Sequence, residues 1–72
     1  MAHTITAEMV ASVHSVSVAA GDSVEVGATL VVLESMKMEI PVLAESAGTI
    51  DEVFVAVGDV VQEGDALVSL TN

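Results

Sequence analysis

Seventy-two residues with eleven acidic side chains against one basic, a formal net charge of -10, make a small and strongly acidic chain. A chain this short is expected to form one domain over 1–72, with a thin core and no room for a deep cleft. Its charge repels nucleic-acid phosphates and anionic membranes, so neither is an expected partner.

With no cysteine and only His3 and His14 as histidines, the chain must be held together by packing, not by disulfides or a metal. The hydrophobic fraction is 53% with a single aromatic, Phe54, and is dominated by valine. Branched side chains of this kind favour strands.

In chain order, Met1-Ala2-His3-Thr4-Ile5 lacks the basic segment and long apolar core of a secretory leader, so a cytoplasmic address is expected. His3 is expected in a frayed terminus. Val16, Val18 and Ala20 alternate with Ser17 and Ala19 in the period-2 pattern of a half-buried strand. Val13 and Val16 are out of phase with each other, which predicts a bulge or bend at His14-Ser15 where the strand passes from one sheet to another. Gly21-Asp22 signals a turn, Val24 a short strand and Gly27 a second turn.

Thr29 to Ile40 is rich in Leu, Met, Glu and Lys and taken alone has the composition of a helix. An internal repeat decides otherwise. Displaced by 37 positions, the separation of Gly21 from Gly58, the two halves match: Val16-Ser17-Val18-Ala19 falls on Val53-Phe54-Val55-Ala56, Gly27 on Gly64, and Leu30-Val31-Val32-Leu33 on Leu67-Val68-Ser69-Leu70. Leu67 to Leu70 ends too near the last residue to be a useful helix, so Leu30 to Leu33 is expected to be a strand too. The second half repeats the phase break at Asp51-Glu52, and Ala7-Glu8 falls on Ala44-Glu45.

The fold that follows is all-β: a flattened β-sandwich or barrel of two small antiparallel sheets, about eight short strands, related by a quasi-two-fold repeat. Val16, Val18, Val24, Leu30 and Leu33 are expected to pack against Val53, Val55, Val61, Leu67 and Leu70. No apolar stretch approaches the roughly 18 to 20 residues that a bilayer-spanning helix needs.

If Leu30 to Leu33 and Met38 to Leu43 are both strands, the chain reverses at Ser35-Met36-Lys37 without the Asn-Gly type of pair that tight hairpins favour. A local rule broken inside a consistent pattern marks a functional position. Lys37 is also the only lysine, and there is no arginine. Catalytic lysines rely on apolar burial or a neighbouring cation, whereas the neighbours here are Glu34 and Glu39, so Schiff-base chemistry is not expected. A lysine on a hairpin turn is instead placed to be modified by another enzyme. No catalytic residue and no metal site are expected.

Glu34-Ser35-Met36-Lys37-Met38-Glu39, set between half-repeats that each carry a Gly-Asp turn, resembles the attachment segment of the biotinyl/lipoyl carrier domain family. The resemblance covers essentially the whole chain. A lysine flanked by methionines is the biotin form of that segment; lipoyl domains usually carry aspartate before the lysine. What the resemblance implies is a small, free-standing, monomeric carrier, not an enzyme, with biotin covalently bound to Lys37 and with Met36 and Met38 recognised beside it. A biotin protein ligase would attach the biotin, and the carrier would then shuttle a carboxyl group from a biotin carboxylase to a carboxyltransferase of an acyl-CoA or related carboxylase. Ala19-Ala20-Gly21-Asp22 is too short for the protruding thumb of some bacterial relatives. The alternatives are a lipoyl carrier, or an unmodified protein-interaction module.

Overall fold

The computed structural model describes residues 2–71. The chain runs through eight strands: β1 (Ala2–Thr6), β2 (Ala11–Val16), β3 (Ser23–Val24), β4 (Thr29–Ser35), β5 (Met38–Leu43), β6 (Gly48–Val53), β7 (Val60–Val61) and β8 (Ala66–Thr71). They form two four-stranded antiparallel sheets, ordered β1-β8-β6-β3 and β5-β4-β2-β7. Thr29–Ser35 and Met38–Leu43 are strands, as the repeat required and composition alone did not.

The 37-residue repeat is reproduced in the hydrogen-bonded ladders themselves. Val13 pairs with Leu33 and Val16 with Val31; their counterparts Ile50 and Leu70, and Val53 and Val68, pair in the same register. The edge ladders repeat too, with Ile5 opposite Val68 and Val42 opposite Val31. Each sheet therefore takes its short strand from the other half of the chain, β7 joining β2 and β3 joining β6. This exchange ties the two sheets into one core.

The core shows the same symmetry. Its buried apolar side chains fall in pairs 37 positions apart: Ala7 and Ala44, Val13 and Ile50, Val24 and Val61, Leu30 and Leu67, Val31 and Val68, and Leu33 and Leu70. Ala11 is the exception, because its counterpart is Gly48. Val16, Val18, Val53 and Val55 are half-buried against this cluster and so belong to its margin, not its centre.

Three expectations are corrected. The strands end at Val16 and Val53, earlier than the valine alternation suggested. Beyond them the chain stays extended for one more hydrogen bond, Ser17 N–H to the Leu30 carbonyl and Phe54 N–H to the Leu67 carbonyl (both 2.9 Å). The amides of Ala19 and Ala56 then turn to the side chains of Asp22 and Asp59, at 2.9 and 2.8 Å, so a turn replaces the ladder. Second, the register does shift between Val13 and Ser15 and between Ile50 and Glu52, as the phase breaks predicted. The bulge only bends the strand, however, and the passage between sheets is made by the segments 17–22 and 54–59. Third, His3 is not in a frayed end: it lies in β1 opposite Leu70. That strand was readable as the counterpart of β5 one repeat earlier.

Gly21 and Gly58, with φ of 96° at both, occupy the third position of turns closed by Asp22 N–H to Ala19 O and Asp59 N–H to Ala56 O (3.0 Å each). A positive φ there is the requirement of a type II turn, and it explains why glycine recurs at the repeat interval. The four-residue turn at Ala19–Asp22 leaves no protruding segment in the first half.

Candidate functional site

β4 and β5 form a hairpin whose stem pairs Leu33 with Ile40, Glu34 with Glu39 and Ser35 with Met38. Only Met36 and Lys37 remain to make the reversal. Both have positive φ, 53° and 65°, and they are the non-glycine residues with this backbone among those described. A two-residue hairpin in which both loop residues are left-handed is the type I′ geometry, which matches the right-handed twist of the strands it joins. The strands do not run on through Lys37. The turn that lacked a turn-forming pair in its sequence is made at two residues that adopt this conformation unfavourably.

The stem is held firmly. Leu33 is fully inside the core and Ile40 half-buried beside it, and the Ser12 hydroxyl donates to the Glu34 carbonyl at 3.4 Å. Beyond that anchorage exposure rises sharply: Met36 is 91% and Met38 65% exposed, and Lys37 is exposed between them. Neither methionine covers the sandwich. The left-handed backbone at Met36 and Lys37 interrupts the pleat, so strand alternation does not govern which way these side chains point.

The local charges are acidic. Glu34 and Glu39 face each other across the stem as like charges, an arrangement that weakens a sheet pair. His14, projecting from the bulge of β2, brings its Nε2 to 3.8 Å from Glu39 Oε2. Sequence reasoning missed this contact. It was accessible once the two-residue turn fixed the β4–β5 register, because β2 pairs with β4 beside it. No ion pair ties Lys37 to another described residue, and among the described residues no group of three or more His, Cys, Asp or Glu side chains is placed to hold a metal.

Chemically, the hairpin presents one primary amine on a short, backbone-fixed turn, with no general base positioned on it and no cleft around it. A cavity does exist, but it lies between β1 and β5 and Lys37 does not line it. The amine suits acylation by an external enzyme: it reaches solvent unpaired, and the rigid turn limits the entropy lost on docking. A group bound through an amide to Nζ would extend outward from the domain without displacing any core contact. The residues present therefore fit a covalent prosthetic group.

A family model described as "Biotin-requiring enzyme", the biotin/lipoyl family, matches residues 2–70. A curated relative, the "Biotinylated protein TB7.3 homolog" of Mycolicibacterium smegmatis, is 64% identical over 44 residues, covering 61% of this chain and 62% of the relative. The match thus spans less than two thirds of that relative's length. Among solved structures, a single-chain, multi-domain long-chain acyl-CoA carboxylase superposes with a TM-score of 0.92 at 35% identity, over 99% of this chain and 7% of that one. The lipoyl domain of the 2-oxoglutarate dehydrogenase complex from Azotobacter vinelandii superposes with a TM-score of 0.83 at 29% identity, over 96% of this chain and 95% of the other.

Proposed function

Starting from a chain that belongs to the biotin/lipoyl family and has biotin as its cofactor, we propose that Lys37 is the residue that carries it. We further propose that the domain shuttles a carboxyl group between the two active sites of a biotin-dependent carboxylase. The observation that carries the reading is the exposed, unpaired Lys37 on a two-residue left-handed turn, anchored by a buried stem.

In this reading a biotin protein ligase activates the biotin carboxyl group with ATP, forming the acyl adenylate and releasing pyrophosphate. The deprotonated Nζ of Lys37 attacks the activated carbonyl, an amide bond forms, adenylate leaves, and the amine proton passes to solvent or the ligase. The bound group supplies the ring nitrogen that accepts and gives up the carboxyl. This chain's residues do the rest by position: Leu33 and Ile40 fix the stem, the turn aims the lysine, and Met36 and Met38 offer polarisable, adaptable surface to the partner sites. The module needs no acid-base residue of its own. We propose one domain over 1–72, monomeric and cytoplasmic, with a biotin carboxylase and a carboxyltransferase as its successive partners. The similarity to a carrier segment inside an acyl-CoA carboxylase supports the carboxylase context.

The lipoyl domain shares the fold closely, so architecture does not separate a biotin from a lipoyl carrier. Met36, where lipoyl domains usually have aspartate, favours biotin. The test is intact mass spectrometry of the protein from its own cells, paired with Lys37→Ala. One biotin amide on Lys37 is expected, with streptavidin recognition lost in the variant and its folding unchanged, since an exposed tip adds little to packing. Lipoylated chains, or only unmodified ones from cells with an active ligase and ample biotin, would overturn the assignment.

A further inference from the structure

β1 and β5 are the edge strands of different sheets, and they flank a groove of about 1010 Å³ that opens on the core. Its apolar lining includes Ile5, Met9, Leu33, Ile40, Leu43 and Leu70. β1 leads toward the Lys37 end of the domain and β5 leads away from it, so the corners that follow them lie at opposite ends of the groove. Each corner presents an exposed carboxylate on the groove wall, Glu8 at one end and Glu45 at the other. Both are held on fixed backbone. Ala7 N–H donates to Asp65 O and Gly64 N–H to Ala7 O (2.9 Å each), while Ala44 N–H donates to Ala28 O at 2.8 Å and Gly27 N–H to Ala44 O at 2.9 Å.

The two edges are not equivalent. Pro41 pairs with Val32 in β5, and its repeat counterpart Thr4 pairs with Ser69 in β1. Proline has no N–H to exchange, so in an antiparallel ladder the Val32–Pro41 pair is a non-hydrogen-bonded one and the Pro41 nitrogen faces away from β4. Proline on an edge blocks the addition of a further strand. The same register applied to Thr4 directs its N–H and carbonyl away from β8, toward the open side of the groove. β5 is therefore closed to strand addition at its middle and β1 is open.

We propose that the β1 edge, with the groove behind it, binds an extended peptide segment of a partner protein by strand addition, the segment having a basic residue at each end and aliphatic residues at alternate positions between. Main-chain bonds to Thr4 set its register, and alternate side chains enter the apolar groove. The basic ends answer Glu8 and Glu45; the five residues of β1 span about 17 Å, so a segment of six, at about 20 Å, reaches slightly beyond the strand at its ends. Charge disfavours a second copy as the occupant, because each chain has a formal net charge of -10.

The test uses the unmodified domain, because neither Lys37 nor biotin takes part; its failure leaves the carrier reading standing, and the reverse. The probe is a capped synthetic peptide with lysine at both ends and valine alternating with threonine between, and the control has glutamate at both ends. Followed by amide NMR titration, the lysine peptide is expected to shift Thr4, Ile5 and Thr6 and to slow hydrogen exchange at Thr4, while the control peptide does not bind. Thr4→Pro, which installs the block already present at Pro41, is expected to abolish binding. Glu8→Gln with Glu45→Gln is expected to weaken it about tenfold through two lost exposed ion pairs. If Thr4→Pro fails to fold by circular dichroism, the glutamine pair decides. Undiminished binding by the folded variants, shifts confined to other strands, or concentration-dependent dimerisation through β1 without peptide would each overturn the proposal.

Discussion

Replacing Met36-Lys37 by Asn-Gly is expected to stabilise the domain while removing the proposed attachment site. Both residues have positive φ, and an L-residue in the left-handed region costs on the order of 1 kcal/mol more than one suited to it. Two such positions make about 2 kcal/mol available, of which glycine's larger backbone entropy loss on folding takes back roughly 0.5–1 kcal/mol. The net gain is about 1 kcal/mol, which for a domain of this size raises Tm by about 4–8 °C. Equilibrium urea unfolding followed by circular dichroism measures it, with the m value unchanged. Because Lys37→Gly also deletes the only lysine from an acidic chain, Met36→Asn alone serves as the charge-neutral control and, having no glycine entropy cost, should retain most of the gain. A double variant equal to or less stable than the parent, with Met36→Asn likewise neutral, would show that the turn is unstrained and that its backbone gives no support to the proposed site.

Met36→Asp is expected to slow biotinylation by purified ligase and raise acceptance by a lipoyl ligase, with stability altered by no more than about 0.5 kcal/mol; unchanged kinetics with both ligases would place specificity elsewhere. Ala28→Asp supplies the carboxylate that the first half lacks, since Asp65 accepts the Gln62 N–H at 2.9 Å and Ala28 is its counterpart. It should add about 0.5 kcal/mol in urea unfolding, and a loss would show that the added charge outweighs the bond. Leu30 and Leu67 are both fully buried at equivalent positions, so either Leu→Ala change should cost about 3 kcal/mol. A difference of several kcal/mol between them would mean that the halves are not equivalent in the core.

The repeat carried most of the fold. Its 37-residue interval put Leu30–Leu33 and Leu67–Leu70 into equivalent strands against a helical local composition, and placed the bulges and the Gly-Asp turns. This worked because glycine with positive φ and alternating valines are local demands of the backbone, written in adjacent residues. The reversal at Ser35-Met36-Lys37 was legible for the opposite reason, as a turn without turn residues.

The folded structure decided where alternation stops being a strand. Val18 and Val55 keep the period of β2 and β6, but a ladder needs a partner. At Ala19 and Ala56 the amides meet an aspartate carboxylate, not a neighbouring strand. It also decided that the short strands β3 and β7 cross to the opposite sheet, that His14 comes within 3.8 Å of Glu39, and that the Thr4 edge is open where the Pro41 edge is closed. The last three depend on which distant segment lies alongside, whereas the aspartate that meets the Ala19 or Ala56 amide is three residues on. A sequence specifies its own dihedral preferences and the period of its side chains, whereas pairing between segments is chosen by the packing of the whole core.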